Sequence, residues 1–176
     1  MKGEKKVENL EEVRSRMKST PTLLDLTDSP SLEDTRCSRK AVSGIVSDSR
    51  RVTPGSAFFA LPGIRTDGNL HVEEALKRGA KTIITEDEDL AVPFSVTKVC
   101  VNDARKTLAK FSKRYYGRPD ENLDLVGVTG TNGKTTVTTL TRHLLEEEGR
   151  PVGLIGTVRY HLGDREVPSY RTTPES

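Results

Sequence analysis

Two textures of apolar spacing alternate along the chain. Residues 4–18 carry Val7, Leu10, Val13 and Met17 at helical spacings, which predicts one apolar stripe on a short helix. Ser19–Lys40 is polar, contains Pro21 and Pro30 and sustains no period, so irregular backbone is expected there. From Val42 the texture changes to short β-type runs: Val42–Val46, Ala57–Leu61, Thr82–Thr85 and Lys98–Val101. Between them lie two helical stretches, Leu70–Arg78, ended by Gly79, and Asp103–Tyr116, opened by an aspartate in the N-cap position. Short strands separated by helices predict an α/β domain.

Gly117–Asn122 then interrupts both periods with glycine, proline and acidic residues, and a domain boundary is expected near residue 120. Beyond it the pattern predicts a strand over Leu123–Val128, a glycine-rich turn, and a helix over Lys134–Glu148. Gly149 ends that helix and Pro151 prevents its return. Val152–Ile155 reads as a further strand, and Thr157–Leu162 with Arg165–Tyr170 flank Gly163 and Asp164 as a hairpin. No internal repeat is present.

Composition narrows the function classes. Among 176 residues, 28 Lys and Arg face 26 Asp and Glu, a net charge of +2. That balance excludes a strongly basic nucleic-acid binder and an acidic tail, and no nucleic-acid partner is expected. The length allows one domain, or a small domain and part of another. Cys37 and Cys100 form no CxxC and no Cys/His cluster at metal spacing, so a reduced, cytoplasmic setting is expected. Cys100, between Val99 and Val101, reads as a buried structural thiol. No stretch approaches the roughly 20 apolar residues of a membrane helix, and the N-terminus lacks a signal-peptide core. A soluble monomer without membrane insertion is the expectation.

The sharpest chemical signal runs from Val126 to Thr136, Val-Gly-Val-Thr-Gly-Thr-Asn-Gly-Lys-Thr-Thr. A strand, a glycine-rich turn and a helix start follow in the order that phosphate binding requires. Gly130 and Gly133 let the backbone turn tightly and aim its N–H groups inward, with Thr131 and Asn132 between them. The helix adds its positive dipole end. Lys134 supplies a mobile charge for the β- and γ-phosphates, the Thr135 hydroxyl suits Mg²⁺, and Thr136 offers a further hydrogen bond. The longer loop pattern G-x-x-x-x-G-K-[ST] would need glycine at 128, where Val128 stands, so the match is to the shorter G-x-x-G-K-[ST]-T form. An ATP-type triphosphate site follows, with Lys134 and Thr135 as its catalytic groups.

The string Gly127–Thr136 resembles the ATP loop of the Mur ligase family, ATP-dependent amide-forming enzymes of peptidoglycan synthesis. Ser47-Asp48-Ser49-Arg50, then Val52–Gly63, Thr66-Asp67-Gly68, Ala75 and Gly79-Ala80 resemble the family's N-terminal domain, which holds the UDP end of the substrate. Gly153–Thr157 and Arg171–Ser176 resemble the branch that adds the third residue, meso-diaminopimelate or lysine, to UDP-MurNAc-L-Ala-D-Glu. The resemblance covers roughly residues 42–176. It implies a UDP-muramoyl-binding domain over 42–118 and the start of a central ATP-binding domain over 123–176; the pattern adds a linker at 119–122 and an extension over 1–41 with a short helix, to which the resemblance contributes nothing.

The resemblance also assigns residues. Ser47 and Ser49 fall at uridine-contacting positions, Ile64, Arg65 and Thr66 beside the diphosphate, and Arg50 among the residues for the UDP-muramoyl substrate. Arg171, Thr172 and Thr173 fall at the muramoyl-peptide end. From the residues alone, Arg50 either offers a fork of donors to a diphosphate or folds back onto Asp48. The implied chemistry uses ATP and Mg²⁺ to convert the D-Glu carboxylate into an acyl phosphate that the incoming amine attacks. The family's later catalytic residues and amino-acid-binding domain follow Thr-Thr-Pro, so this polypeptide is expected to be a fragment that forms no amide bond alone. Two other readings stand beside it: a non-catalytic UDP-muramoyl-binding module, and a different Mur-type or P-loop ATPase. His71, His143 and His161 read as surface or packing residues, and the acidic runs at 86–89 and 146–148 as solvated turns or helix ends.

Overall fold

The computed structural model describes residues 21–26, 40–63, 67–163 and 165–169. They fall into two compact units, Met1–Leu123 and Asp124–Ser176. The helix expected over 4–18 lies outside the described residues.

The first unit is organised by alternation along its strands. Ile45–Val46 (β1), Ala57–Phe59 (β2), Thr82–Thr85 (β3) and Thr97–Cys100 (β4) pair in parallel, in the order β1-β2-β3-β4. Successive side chains leave a strand on opposite faces, so this sheet has two cores. Ala57, Phe59, Ile84 and Val99 meet Leu23–Leu26 (α1) and Ala104–Tyr115 (α3) on one face. Phe58, Ala60 and Ile83 meet Val72–Lys77 (α2) on the other, with Val52 and Ala80. Phe58 and Phe59 are both fully buried, and Phe59 packs edge-on against Phe111 with ring centroids 5.5 Å apart. Each phenylalanine contributes about 1.5–3 kcal/mol by leaving water.

The helix starts are set locally. Asp103 caps α3 by accepting the Lys106 N–H at 2.9 Å, and Glu86, from the turn after β3, accepts the Ala104 N–H at 2.8 Å. Two N–H groups that a helix start leaves unpaired are thereby satisfied. Asp67 caps the Asn69 N–H, which winds Gly68–His71 as a 3-10 turn and delays α2 to Val72, two residues later than the spacing predicts. Pro119–Asn122 forms another 3-10 turn, and Lys113 of α3 reaches it through Asp120 at 2.8 Å.

Three expectations need correction. Ser19–Lys40 is not irregular throughout: Thr22 bridges Ala41, the Val42 N–H donates to the Pro21 carbonyl, and Leu23 and Leu26 of α1 are fully buried. Those bonds draw residues 41 and 42 toward Pro21 and Thr22, so β1 keeps only two of the five residues expected. Cys100 is exposed, because it ends the edge strand β4, beyond the cover of either core.

The second unit comprises Lys134–Glu147 (α4) and an antiparallel sheet of Gly153–Ile155 (β5), Arg159–Leu162 (β6) and Arg165–Pro168 (β7). The hairpin around Gly163 is present, with strands shorter than expected. Leu123–Val128 is not a strand: no ladder joins it, and Leu125 and Val126 are 78% and 76% exposed. Apolar composition favours extended backbone, but a strand exists only through hydrogen bonds to a neighbour. None of the described residues of this unit is buried.

Candidate functional site

The phosphate-loop residues are contiguous in space. Gly133 caps α4 with φ +78° and Gly130 sits at φ +146°, both in the region closed to most side-chain-bearing residues. A Cβ on Gly133 would meet nothing and one on Gly130 only the Asn132 carbonyl at 3.6 Å, so backbone conformation requires these glycines here. Because Gly133 has no side chain, nothing in the loop caps the helix, and the first-turn N–H groups stay open to an anion. The Val137 N–H closes the first helical bond on the Gly133 carbonyl at 2.9 Å.

Lys134 folds back over this loop. Its Nζ donates to the Gly130 carbonyl, and a second carbonyl, of Thr131, lies at 3.4 Å. Thr135 and Thr136 are exposed, whereas the Thr138 hydroxyl is spent on the Lys134 carbonyl at 2.9 Å. Lys134 and Thr135 line an open recess of about 430 Å³ with Val128, Gly156, Thr157 and Arg159. An uncapped helix start, an ammonium and two free hydroxyls make a donor set suited to a polyphosphate. Thr135 could add one oxygen to a hard cation already held by such an anion. Among the described residues no cluster of three or more His, Cys, Asp or Glu is placed to hold a metal by itself.

In the first unit the candidate residues follow the carboxyl ends of strands, the edge where open parallel sheets bind ligands. Ser47, Ser49 and Arg50 stand on one turn after β1. Asp48 caps it by accepting the Arg50 N–H at 3.0 Å and grips the Arg50 guanidinium through both oxygens, at 2.9 and 2.8 Å. The Arg50 guanidinium therefore folds back onto Asp48, and those bonds hold the Asp48 carboxyl down at about 2 from the usual 3.8. The Ser49 hydroxyl, almost buried, donates to Glu74 Oε2 at 2.6 Å.

Ile64, Arg65 and Thr66, and Arg171, Thr172 and Thr173, lie outside the described residues. The chain on either side of 64–66 is anchored: Arg105 of α3 donates to the Pro62 carbonyl at 3.0 Å, and the Gly68 N–H donates to the Leu61 carbonyl at 2.9 Å. Spacing missed three residues at this edge, Glu74, Arg78 and Arg105. Each acts on a partner at least 25 positions away, which no local period reveals. Of the three histidines, His161 lines the recess beside Lys134 and Thr135, and His71 lies close enough to Glu74 to help lower its carboxyl. No helix among the described residues is long and apolar enough to cross a membrane.

Comparison with known proteins gives both regions relatives. Residues 41–116 match the model "Mur ligase family, catalytic domain", and residues 128–176 match "Mur ligase middle domain". A UDP-N-acetylmuramoyl-L-alanyl-D-glutamate–2,6-diaminopimelate ligase of Caldanaerobacter subterraneus is 46% identical over 135 residues, 77% of this chain and 28% of the relative. The ligase of the same name from Geobacillus kaustophilus is 48% identical over 129 residues, 73% of this chain and 26% of the relative. A solved ligase of that name superposes with a TM-score of 0.68 at 27% identity, covering 85% of this chain and 30% of the other. The chain thus spans just over a quarter of the length of these relatives.

Proposed function

This chain belongs to the Mur ligase family, and on that premise we propose that it supplies the substrate-binding and ATP-binding front of an ATP-dependent amide ligase of peptidoglycan synthesis. The substrate is UDP-MurNAc-L-Ala-D-Glu. The residue added is 2,6-diaminopimelate, a choice supported by the names of the relatives. The observation that carries the reading is the juxtaposition of glycines, Lys134 and Thr135 at the uncapped start of α4, in a chain whose other unit matches the family separately.

In this reading the N–H groups from Gly130 to Thr136 cradle the phosphates of ATP. Lys134 leaves its own loop carbonyls to bridge the β- and γ-phosphates, and Thr135 contributes a ligand to Mg²⁺. ATP supplies the phosphoryl group that turns the D-Glu carboxylate into an acyl phosphate with a good leaving group. The protein's own work is positioning and charge neutralisation. The UDP end lies on the carboxyl edge of the parallel sheet, against Ser47, Ser49 and Arg50; by the family pattern Ile64, Arg65 and Thr66 serve the diphosphate, and Arg171, Thr172 and Thr173 the peptide end. A cytoplasmic, monomeric protein fits that chemistry.

Calorimetry tests the division of labour. ATP with Mg²⁺ and UDP-MurNAc-L-Ala-D-Glu should each bind the chain, and Lys134→Ala should remove ATP binding alone. A chain that binds ATP but not the UDP substrate, and releases phosphate without it, would instead be a different P-loop ATPase.

A further inference from the structure

The turn after β1 is held from outside itself. Glu74 lies on α2 and Arg78, one helical turn later, is its C-cap, with Arg78 Nε 3.2 Å from Glu74 Oε1. Glu74 Oε2 accepts the Ser49 hydroxyl at 2.6 Å, and Arg78 Nη1 donates to the Arg50 carbonyl at 3.2 Å. One carboxylate and one guanidinium thus grip consecutive residues of the Ser49–Arg51 turn, one through a side chain and the other through the backbone. Asp48 and Arg50 pair within the turn and fix its shape, but they do not fix where it stands on the sheet. The grip from α2 does. The same helix follows directly from the 3-10 turn Gly68–His71, which leads out of the 64–66 segment.

From this arrangement we propose that Glu74 and Arg78 are positioning residues for the nucleotide end of the substrate, Glu74 by taking the Ser49 proton and so fixing which way the Ser49 oxygen is offered. The inference rests on the substrate reading given above. Its chemistry is specific. The Ser49 hydroxyl has a single proton, and Glu74 takes it, so what Ser49 offers the nucleotide is an oxygen that accepts, from a uracil N–H or a ribose hydroxyl. Glu73, one residue earlier on α2, pairs with Lys77 at 2.7 Å and touches no part of the turn, which makes it a matched control.

The test is a double-mutant cycle on binding of UDP-MurNAc-L-Ala-D-Glu to the full chain by calorimetry, with ATP binding as the second readout. Ser49→Ala and Glu74→Ala should each weaken UDP-substrate binding by about tenfold, as expected for loss of a hydrogen bond to a charged group. The double variant should be no weaker than either single one, because both remove the same link. Glu74→Gln, which still accepts the hydroxyl proton, should recover most of the loss. Arg78→Lys should bind a few-fold more weakly, Glu73→Ala should bind as the parent does, and ATP affinity should stay constant throughout. Additive losses in the Ser49 and Glu74 variants would mean that Glu74 does not act through Ser49 and would overturn the inference. So would parental binding by Glu74→Ala, or, if that variant fails to fold, binding by Glu74→Gln as weak as that of Ser49→Ala. An unsubstituted chain that binds no UDP substrate would overturn the substrate reading itself, and the inference with it.

Discussion

The two units are built from the same kind of material and use it differently. In the first, α2 and α3 lay apolar faces on opposite sides of a parallel sheet, and Phe58, Phe59 and Phe111 are all at most 2% exposed. In the second, α4 also carries an apolar stripe, Val137, Leu140 and Leu144 at helical spacing, yet those residues are 48%, 58% and 68% exposed. An apolar stripe records that a helix can be covered, and only tertiary contacts decide that it is. The phosphate loop nevertheless keeps its form in the less buried unit. Its geometry comes from glycine dihedrals, a helix start and a lysine, all local, whereas the turn after β1 depends on Glu74 and Arg78 arriving from another element.

This contrast can be broken or sharpened by substitution. The largest effect should be Phe59→Ala, which removes the ring packed on Phe111 and should cost about 3–5 kcal/mol of unfolding free energy in a urea titration. Next, Lys134→Ala should reduce ATP affinity by about a hundredfold or more, with UDP-substrate affinity unchanged; calorimetry with both ligands checks it. Gly133→Ala should cost about 1–2 kcal/mol through its positive φ alone, seen as roughly tenfold weaker ATP binding. A smaller effect is expected from Leu144→Gln, within about 0.5 kcal/mol of the parent in urea, since the side chain is already in water. A cost near that of Phe59→Ala there would show that the stripe is covered in solution and would break the comparison.

The smallest effect concerns pH. The folded Asp48 carboxyl is lowered from 3.8 to about 2, first by its side-chain bonds with Arg50. A carboxylate with a depressed folded value stabilises the fold above its unfolded value, and that contribution disappears as pH falls through the folded one. The melting temperature of Asp48→Asn should therefore sit slightly below the parent's at pH 7, and the gap should close between about pH 4 and 2. A gap that widens on acidification would contradict the pairing.

What was legible in the sequence follows the range of the forces involved. α3 could be read because Asp103 caps a helix whose apolar positions recur at its own period, and β3 because Thr82–Thr85 is a bounded β-branched run. The phosphate loop was legible for the same reason, each of its parts acting within a few residues. Leu23 and Leu26 were not, because a four-residue helix is shorter than the period that would announce it. Leu123–Val128 misled because a strand is a relation between two segments and only one is in the pattern. Glu74 resembled any solvated helix glutamate until Ser49 was placed beside it.

One feature of β2 bears on which length changes this fold tolerates. Phe58 and Phe59 are neighbours that enter different cores, so the strand is keyed like a tooth between two gears. Deleting one residue between Ser56 and Ala60 would exchange the two faces and misfit both cores at once. The exposed stretch Pro93–Ser95 between β3 and β4 has no such key: a residue added or lost there disturbs the bond from the Val96 N–H to the Pro93 carbonyl but leaves every strand in frame. Viable relatives should therefore differ in length at that connection and keep β2 in frame.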